Sequence, residues 1–211
     1  MNYLTISENA NASFIEKRSE FIGYISPVKT NDEAVAFINS IKAEHRKAKH
    51  NVYAYILRED NISRYSDDGE PQGTAGQPLL ELLTSNGFTD SLICVTRYFG
   101  GTLLGKGGLK RAYTDSGRMA LSDGEPVELI PALKWREHCS YPFFEMLSRK
   151  SGQSGWILDN IEYGQDVVFD LTVPEEAGPE VIRSCLDMSG GTLVLAEPES
   201  LLMRGGKVSL S

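Results

Sequence analysis

Two stretches decide how this chain reads. The first is Ser66-Asp67-Asp68-Gly69-Glu70-Pro71-Gln72-Gly73-Thr74-Ala75-Gly76-Gln77-Pro78. The second is Ile93-Cys94-Val95-Thr96-Arg97-Tyr98-Phe99-Gly100-Gly101-Thr102-Leu103-Leu104-Gly105-Lys106-Gly107-Gly108-Leu109-Lys110-Arg111-Ala112. Nine of the 47 residues from Ser66 to Ala112 are glycine. Each glycine costs backbone entropy, so their density means that the chain is brought close to a ligand or to another backbone.

Working outward, apolar spacing lays out alternating elements. Phe21–Val28, Val52–Leu57 and Ser91–Phe99 read as strands. A helix capped by Asn31 or Asp32 carries the stripe Ala34, Val35, Ile38, Ile41, Ala48, and His45-Arg46-Lys47 places cations in its last turn. Gln77–Ser85 reads as a short helix, capped by Thr74 or Gln77 and ended by Gly87; Gly108–Leu121 is another. The order β-α-β-loop-α-β-loop-α gives a sandwich with helices on one face. Ser122–Pro131 is rich in turn residues and reads as a linker.

Beyond it the pattern restarts. Strand Leu133–Ser140, helix Pro142–Lys150, a hairpin of Trp156–Glu162 with Val167–Val173, helix Pro179–Met188 and strand Thr192–Glu197 make βαββαβ, the ferredoxin-like arrangement. Leu201–Ser211 reads as a loosely ordered tail. The fold class is therefore α+β, two α/β sandwich domains over residues 1–125 and 132–204.

Composition narrows the function. The 211 residues are 41% hydrophobic and 24% charged, ordinary for a globular protein. The longest apolar runs are far short of a membrane span, and the first residues lack a signal peptide's basic start and apolar core, so a cytoplasmic protein is expected. Cys94, Cys139 and Cys185 are odd in number and sit in apolar patterns, which reads as reduced core cysteines. The net charge of −8 argues against a generic nucleic-acid binder. Arg97–Arg118, however, holds five basic residues against one acid, a local excess compatible with phosphate.

The loops carry the candidate residues. Asp67, Asp68 and Glu70, with Thr74 behind them, suit either a hard cation and acid–base work or a plain capped turn. The second loop offers Arg97, Gly100, Gly101, Lys106, Gly107, Gly108, Lys110 and Arg111. It lacks the Walker spacing, and reads either as an anion-binding helix start or as an exposed charged face. His50, at a strand edge, reads as a hydrogen-bonded structural residue. The reading assigns no catalytic residue, no metal and no cofactor.

These loops resemble the IMPACT/YigZ family in Asp67-Asp68-Gly69-Glu70-Pro71, Gly73-Thr74-Ala75-Gly76 with Pro78, Thr96-Arg97-Tyr98-Phe99-Gly100-Gly101, Leu104-Gly105, Gly107-Gly108-Leu109 and Arg111-Ala112-Tyr113. His50-Asn51 and Ala54-Tyr55 also fit, while Val52 stands where the pattern expects cysteine. The resemblance covers about residues 15–122, and the remainder looks like the C-terminal domain of the bacterial YigZ branch. It implies an N-terminal domain like ribosomal protein S5 domain 2 and a C-terminal domain like the last domain of elongation factor G. It also implies a role in translation. Eukaryotic relatives compete for the activator of an initiation-factor kinase, and the bacterial fold pairing implies contact with RNA, the ribosome or a translation factor. Three functions stay open: a binding protein of this kind using the basic loop, a metal- or phosphate-dependent enzyme using the acidic loop, and a protein–protein adaptor.

Overall fold

The computed structural model describes residues 2–191 and 195–207. It is a mixed α+β structure whose described residues form two five-stranded sheets and five α-helices. Two compact units divide it, one over Tyr3–Glu128 and one over Leu129–Gly205.

In the N-terminal unit the strands are β1 (Tyr3–Ile6), β2 (Ala10–Glu16), β3 (Ser19–Pro27), β4 (His50–Leu57), β5 (Ile62–Ser66) and β6 (Ser91–Tyr98). The helices are α1 (Asn31–Glu44), α2 (Gly76–Ser85) and α3 (Gly105–Asp123). Strands β2-β3-β6-β4-β5 pair in that order, antiparallel throughout. Central β6 is buried on both faces, which is why its sequence runs apolar without alternating.

The expectation of helices on one face is corrected. Ile93 and Val95 of β6 pack with Leu79, Leu83, Leu109 and Tyr113 of α2 and α3. Leu92 and Cys94, of opposite parity, pack with Ala34, Ile38 and Ile41 of α1 on the other face. Each fully buried side chain of this kind contributes roughly 1.5–3 kcal/mol.

Other expectations shift in detail. Thr30, not Asn31 or Asp32, caps α1, its hydroxyl accepting from Glu33 N at 3.2 Å. His45 does not face solvent at the helix end: it is buried, with Nε2 2.5 Å from Tyr24 Oη and Nδ1 2.9 Å from Tyr98 Oη. Strands β1, β2 and β5 were not expected from the sequence. The β2–β3 hairpin turns on Lys17 (φ 46°) and Arg18 (φ 67°), left-handed residues without the usual Asn-Gly signature.

The C-terminal unit contains most of β7 (Pro126–Cys139), then α4 (Tyr141–Ser154), β8 (Ile157–Tyr163), β9 (Val167–Pro174), α5 (Gly178–Met188) and β10 (Glu199–Lys207). β7 lies between β9 and β10, and β8 pairs β9, the strand order of a ferredoxin-like βαββαβ unit. Two corrections apply. The expected linker is shorter, because α3 continues to Asp123 and β7 begins at Pro126. The last strand is Glu199–Lys207 rather than Thr192–Glu197: residues 195–197 are not strand, 192–194 lie outside the described residues, and much of the supposed tail is the strand. Trp135 and Glu137 fasten the preceding segment, Nε1 donating to Ala196 O at 3.1 Å and Oε1 accepting from Ala196 N at 2.7 Å.

Val167, Phe169, Leu171 and Val173 point toward α4 and α5, while Asp170 occupies the opposite face of β9. Asp170 is buried and meets Lys134 Nζ at 2.6 Å, Asn160 Nδ2 at 2.8 Å and Arg136 Nη1 at 3.0 Å. Burial alone would raise its carboxyl, but hydrogen bonds from Asn160, Lys134 and Arg136 outweigh that and hold it at about 2. An unfolded aspartate titrates near ~3.9. The charge therefore stabilises the fold fully above about pH 4, and this contribution is lost as pH falls toward about 2. Asp170→Asn should flatten the acid limb of the stability profile in that window, read by denaturant melts at stepped pH. An acid limb identical to the parent's would refute the assignment.

The three cysteines of the described residues are free and buried. Burial pushes Cys94 up to about 12 and Cys139 and Cys185 up to about 11, so none is a ready thiolate nucleophile.

Candidate functional site

The acidic loop is built from its own hydrogen bonds. Asp67 Oδ2 accepts from Gly73 N at 2.9 Å, and Oδ1 accepts from Ala75 N at 3.0 Å and Gly76 N at 2.9 Å. The anion drawn to the start of α2 is thus Asp67 itself, placed where the dipole favours it. This corrects the expected cap: Thr74 Oγ1 donates instead to Pro71 O at 2.5 Å. Gly76 is required because a Cβ there would lie 2.6 Å from Ser66 O.

Asp68 adopts a left-handed φ of 42° and turns back onto β4. Its Oδ2 accepts from Asn51 N at 2.7 Å, and Oδ1 is 3.4 Å from Lys42 Nζ. Its carbonyl lies 2.8 Å from His50 Nδ1, which must donate because a carbonyl oxygen only accepts, and the other ring nitrogen is Nε2. That Nε2 lies 3.9 Å from Glu70 Oε1.

Glu70 carries the core of the network. Its side chain is 4% exposed, and Oε1 accepts from Arg97 Nη1 and from Tyr113 Oη, both at 2.7 Å. Burial first, and then the Glu70 carboxylate, push the Tyr113 hydroxyl far above its ordinary range, so it stays a proton donor. Arg97 does not belong to the exposed basic loop. Its side chain is 6% exposed, flanked by the Phe21 and Phe99 rings with centroids 5.4 Å from Cζ. Nη2 reaches Ser19 Oγ at 3.3 Å, and Nε is buried without a partner among the described residues.

Of the remaining candidates, Gly101, Lys106, Gly107, Lys110 and Arg111 are exposed, and Gly100 and Gly108 are half-buried. Lys106, Gly107 and Arg111 face solvent, and Lys110 pairs with Glu81 at 3.3 Å. The glycines separate by cause. Gly100 packs on the Arg18 carbonyl, Gly101 (φ 84°) and Gly105 (φ 75°) need left-handed backbone, and Gly108 abuts Leu104. Gly107 has neither constraint: its φ is ordinary and a Cβ would meet nothing within 4 Å. No side chain caps the start of α3 and no acid lies in its first turn.

Tyr113 and Ser19 were not among the candidate residues. A tyrosine on the buried face of α3 was the available signal for the first, since a buried hydroxyl needs a partner; Ser19 gave none. Among the described residues no three His, Cys, Asp or Glu side chains are grouped to hold a metal.

The Impact N-terminal domain profile matches residues 17–121. The IMPACT family member YvyE of Bacillus subtilis is 38% identical over 199 residues, 94% of this chain and 92% of that protein. The chain belongs to the IMPACT family. The IMPACT family member YigZ of Escherichia coli is 32% identical over 182 residues, covering 85% of this chain and 89% of its own length. A crystal structure described as that of a hypothetical protein superposes with a TM-score of 0.59 at 30% identity, over 94% of this chain and 98% of that one. In this IMPACT family chain the Asp67–Pro71 and Arg97–Gly101 motifs meet at the Glu70–Arg97 pair. Val52, at the expected cysteine position, is an apolar core residue beneath α2 and α3. No helix among the described residues is long and apolar enough to cross a membrane.

Proposed function

We propose that this IMPACT family protein is a translation-related binding protein of the cytoplasm whose Gly100–Gly108 loop contacts RNA phosphate. The observation that carries this reading is the start of α3. It is uncapped, free of acids, bears the exposed Lys106, and is bare at Gly107 where packing requires no glycine. Free amides and the helix dipole draw an anion to such an end, and a missing side chain lets a phosphate approach the backbone. The acidic loop does not compete for this role. Each of its carboxylates is engaged by the chain itself, Asp67 with Gly73 N, Asp68 with Asn51 N and Glu70 with Arg97, which favours a structural role for that loop.

Lys106→Ala with Lys110→Ala tests this. RNA affinity should fall across sequences alike, and the slope of log affinity against log salt should flatten by about 0.7–0.9 per lost phosphate contact. Leu103, 83% exposed at the loop tip, favours a second reading as a protein–protein adaptor. Unchanged affinity and slope in a folded double variant would transfer the loop to that reading.

A further inference from the structure

Antiparallel pairing brings three chain segments to one end of the N-terminal sheet. They are the Lys17-Arg18 turn before β3, the end of β6 at Tyr98-Phe99, and the Arg46–Lys49 connection into β4. Arg97 pairs with Phe21 on one side and His50 on the other, so Phe99 emerges between the turn and the connection. Gly100 fixes the first contact, its position for a Cβ lying 1.9 Å from Arg18 O. Lys49 makes the second, with Nζ 5.9 Å from the Phe99 centroid.

Lys17, Arg18, Arg46, Lys47 and Lys49 are all exposed there, and none has a carboxylate partner among the described residues. Elsewhere in this unit Lys42, Arg58, Arg97, Lys110 and Arg118 are each paired, and the other cations without a carboxylate partner among the described residues, Lys29, Arg64, Lys106 and Arg111, are not drawn together around a ring in this way. Glu16, Glu20 and Glu44 are the acids nearest in sequence, flanking the turn and preceding His45; none interrupts Arg46–Lys49. Phe99 is 43% exposed, and Gly101 beside it is open to solvent at its Cβ position. A cation row beside a half-exposed ring with bare backbone next to it suits an unpaired base stacked on the ring, with its phosphates along the row. A duplex would keep its bases from Phe99.

We propose that this end of the sheet is a track for single-stranded RNA, with Phe99 as its stacking platform and Arg46, Lys47 and Lys49 as its phosphate rail. It rests on the RNA reading above and extends it to residues outside the glycine loop. The base displaces the Lys49 ammonium from the ring, and the ammonium moves to a phosphate.

The test is fluorescence anisotropy of the full chain with labelled oligouridine of about 16 nucleotides, and with a duplex RNA of equal length, across a salt series. Arg46→Ala with Lys47→Ala and Lys49→Ala should flatten the oligouridine salt slope by about 2 units. Phe99→Ala should weaken oligouridine binding about tenfold with the slope retained, Phe99→Leu likewise, and Phe99→Trp should bind as the parent does. Phe99→Leu keeps apolar bulk against Arg97, and melting curves check that each variant is folded. Parent-like oligouridine binding in the rail variant and Phe99→Ala would overturn the track, as would equal loss on the duplex or failure of Phe99→Trp to bind. If Lys106→Ala with Lys110→Ala still weakens RNA binding in that case, the glycine-loop reading stands alone. If the parent binds neither RNA, both readings fall.

Discussion

Glu70→Ala is expected to destabilise the N-terminal unit by about 3–5 kcal/mol, because it strands a buried guanidinium. Arg97 has 6% of its side chain exposed and no second carboxylate within reach. Ser19 supplies only one weak contact at 3.3 Å, and Nε is already unpartnered. Tyr113 loses its acceptor at the same time, adding a buried unsatisfied hydroxyl. In a unit of this size the loss corresponds to a fall in Tm on the order of 10 °C or more. Arg97→Met should cost a comparable amount by leaving the carboxylate alone. The double variant should cost clearly less than the two singles added, since paired removal leaves no orphan charge. Urea melts of the three variants measure the cycle. Additive losses, or a Glu70→Ala cost below about 1 kcal/mol, would mean that the pair is not what joins the two motifs.

Gly100→Ala should be nearly as damaging for a different reason. The added methyl would lie 1.9 Å from the Arg18 carbonyl oxygen and 2.0 Å from its carbon, both backbone atoms that no rotamer change can move aside. The β2–β3 turn and the end of β6 would have to part, breaking the Gly100 N to Ser19 Oγ bond of 3.2 Å and disturbing the Arg97 pocket. A loss of about 3 kcal/mol is expected, at the upper end for an overpacked site. Gly107→Ala is the contrast. It meets nothing, replaces a poor helix former in the first turn of α3, and should leave stability unchanged or raised by up to about 1 kcal/mol. Thermal melts of the two variants decide the matter: a Gly100→Ala protein as stable as its parent would remove the close approach from the account.

Those two glycines show why the motif was legible as a motif but not as a mechanism. Glycine density said that backbone was being approached, yet a glycine beside a carbonyl and one beside open solvent are the same letter. The approach at Gly100 joins residues 82 positions apart, from Arg18 to Gly100, and only the β3–β6 register creates it. Glu70 was likewise visible as one of three clustered acids, a pattern that suits a cation as well as a turn. Its exit from that cluster into the protein, toward Arg97 and Tyr113, depends on how α3 lies over β6.

What the sequence determined by itself was everything encoded in local periodicity and chemistry. The helices at α1 to α5, the strand at β6, the βαββαβ pattern of the second unit and the burial of the three cysteines all depend on spacing within a dozen residues. The ordered motifs also carried the family. Tertiary structure alone decided which face each helix covers, because a strand buried on both sides shows no alternation to choose between them. It also decided the Lys17-Arg18 turn, whose left-handed residues carry no glycine, and the final strand at Glu199–Lys207, whose pairing partner β7 lies some sixty residues earlier. The same holds for the fate of the charges. Arg97 and Lys106 lie in one basic stretch, but β6 carries the first inward onto Glu70 while the start of α3 leaves the second in water. A side chain's solvent exposure is set by what the rest of the chain brings over it, and no local spacing records that.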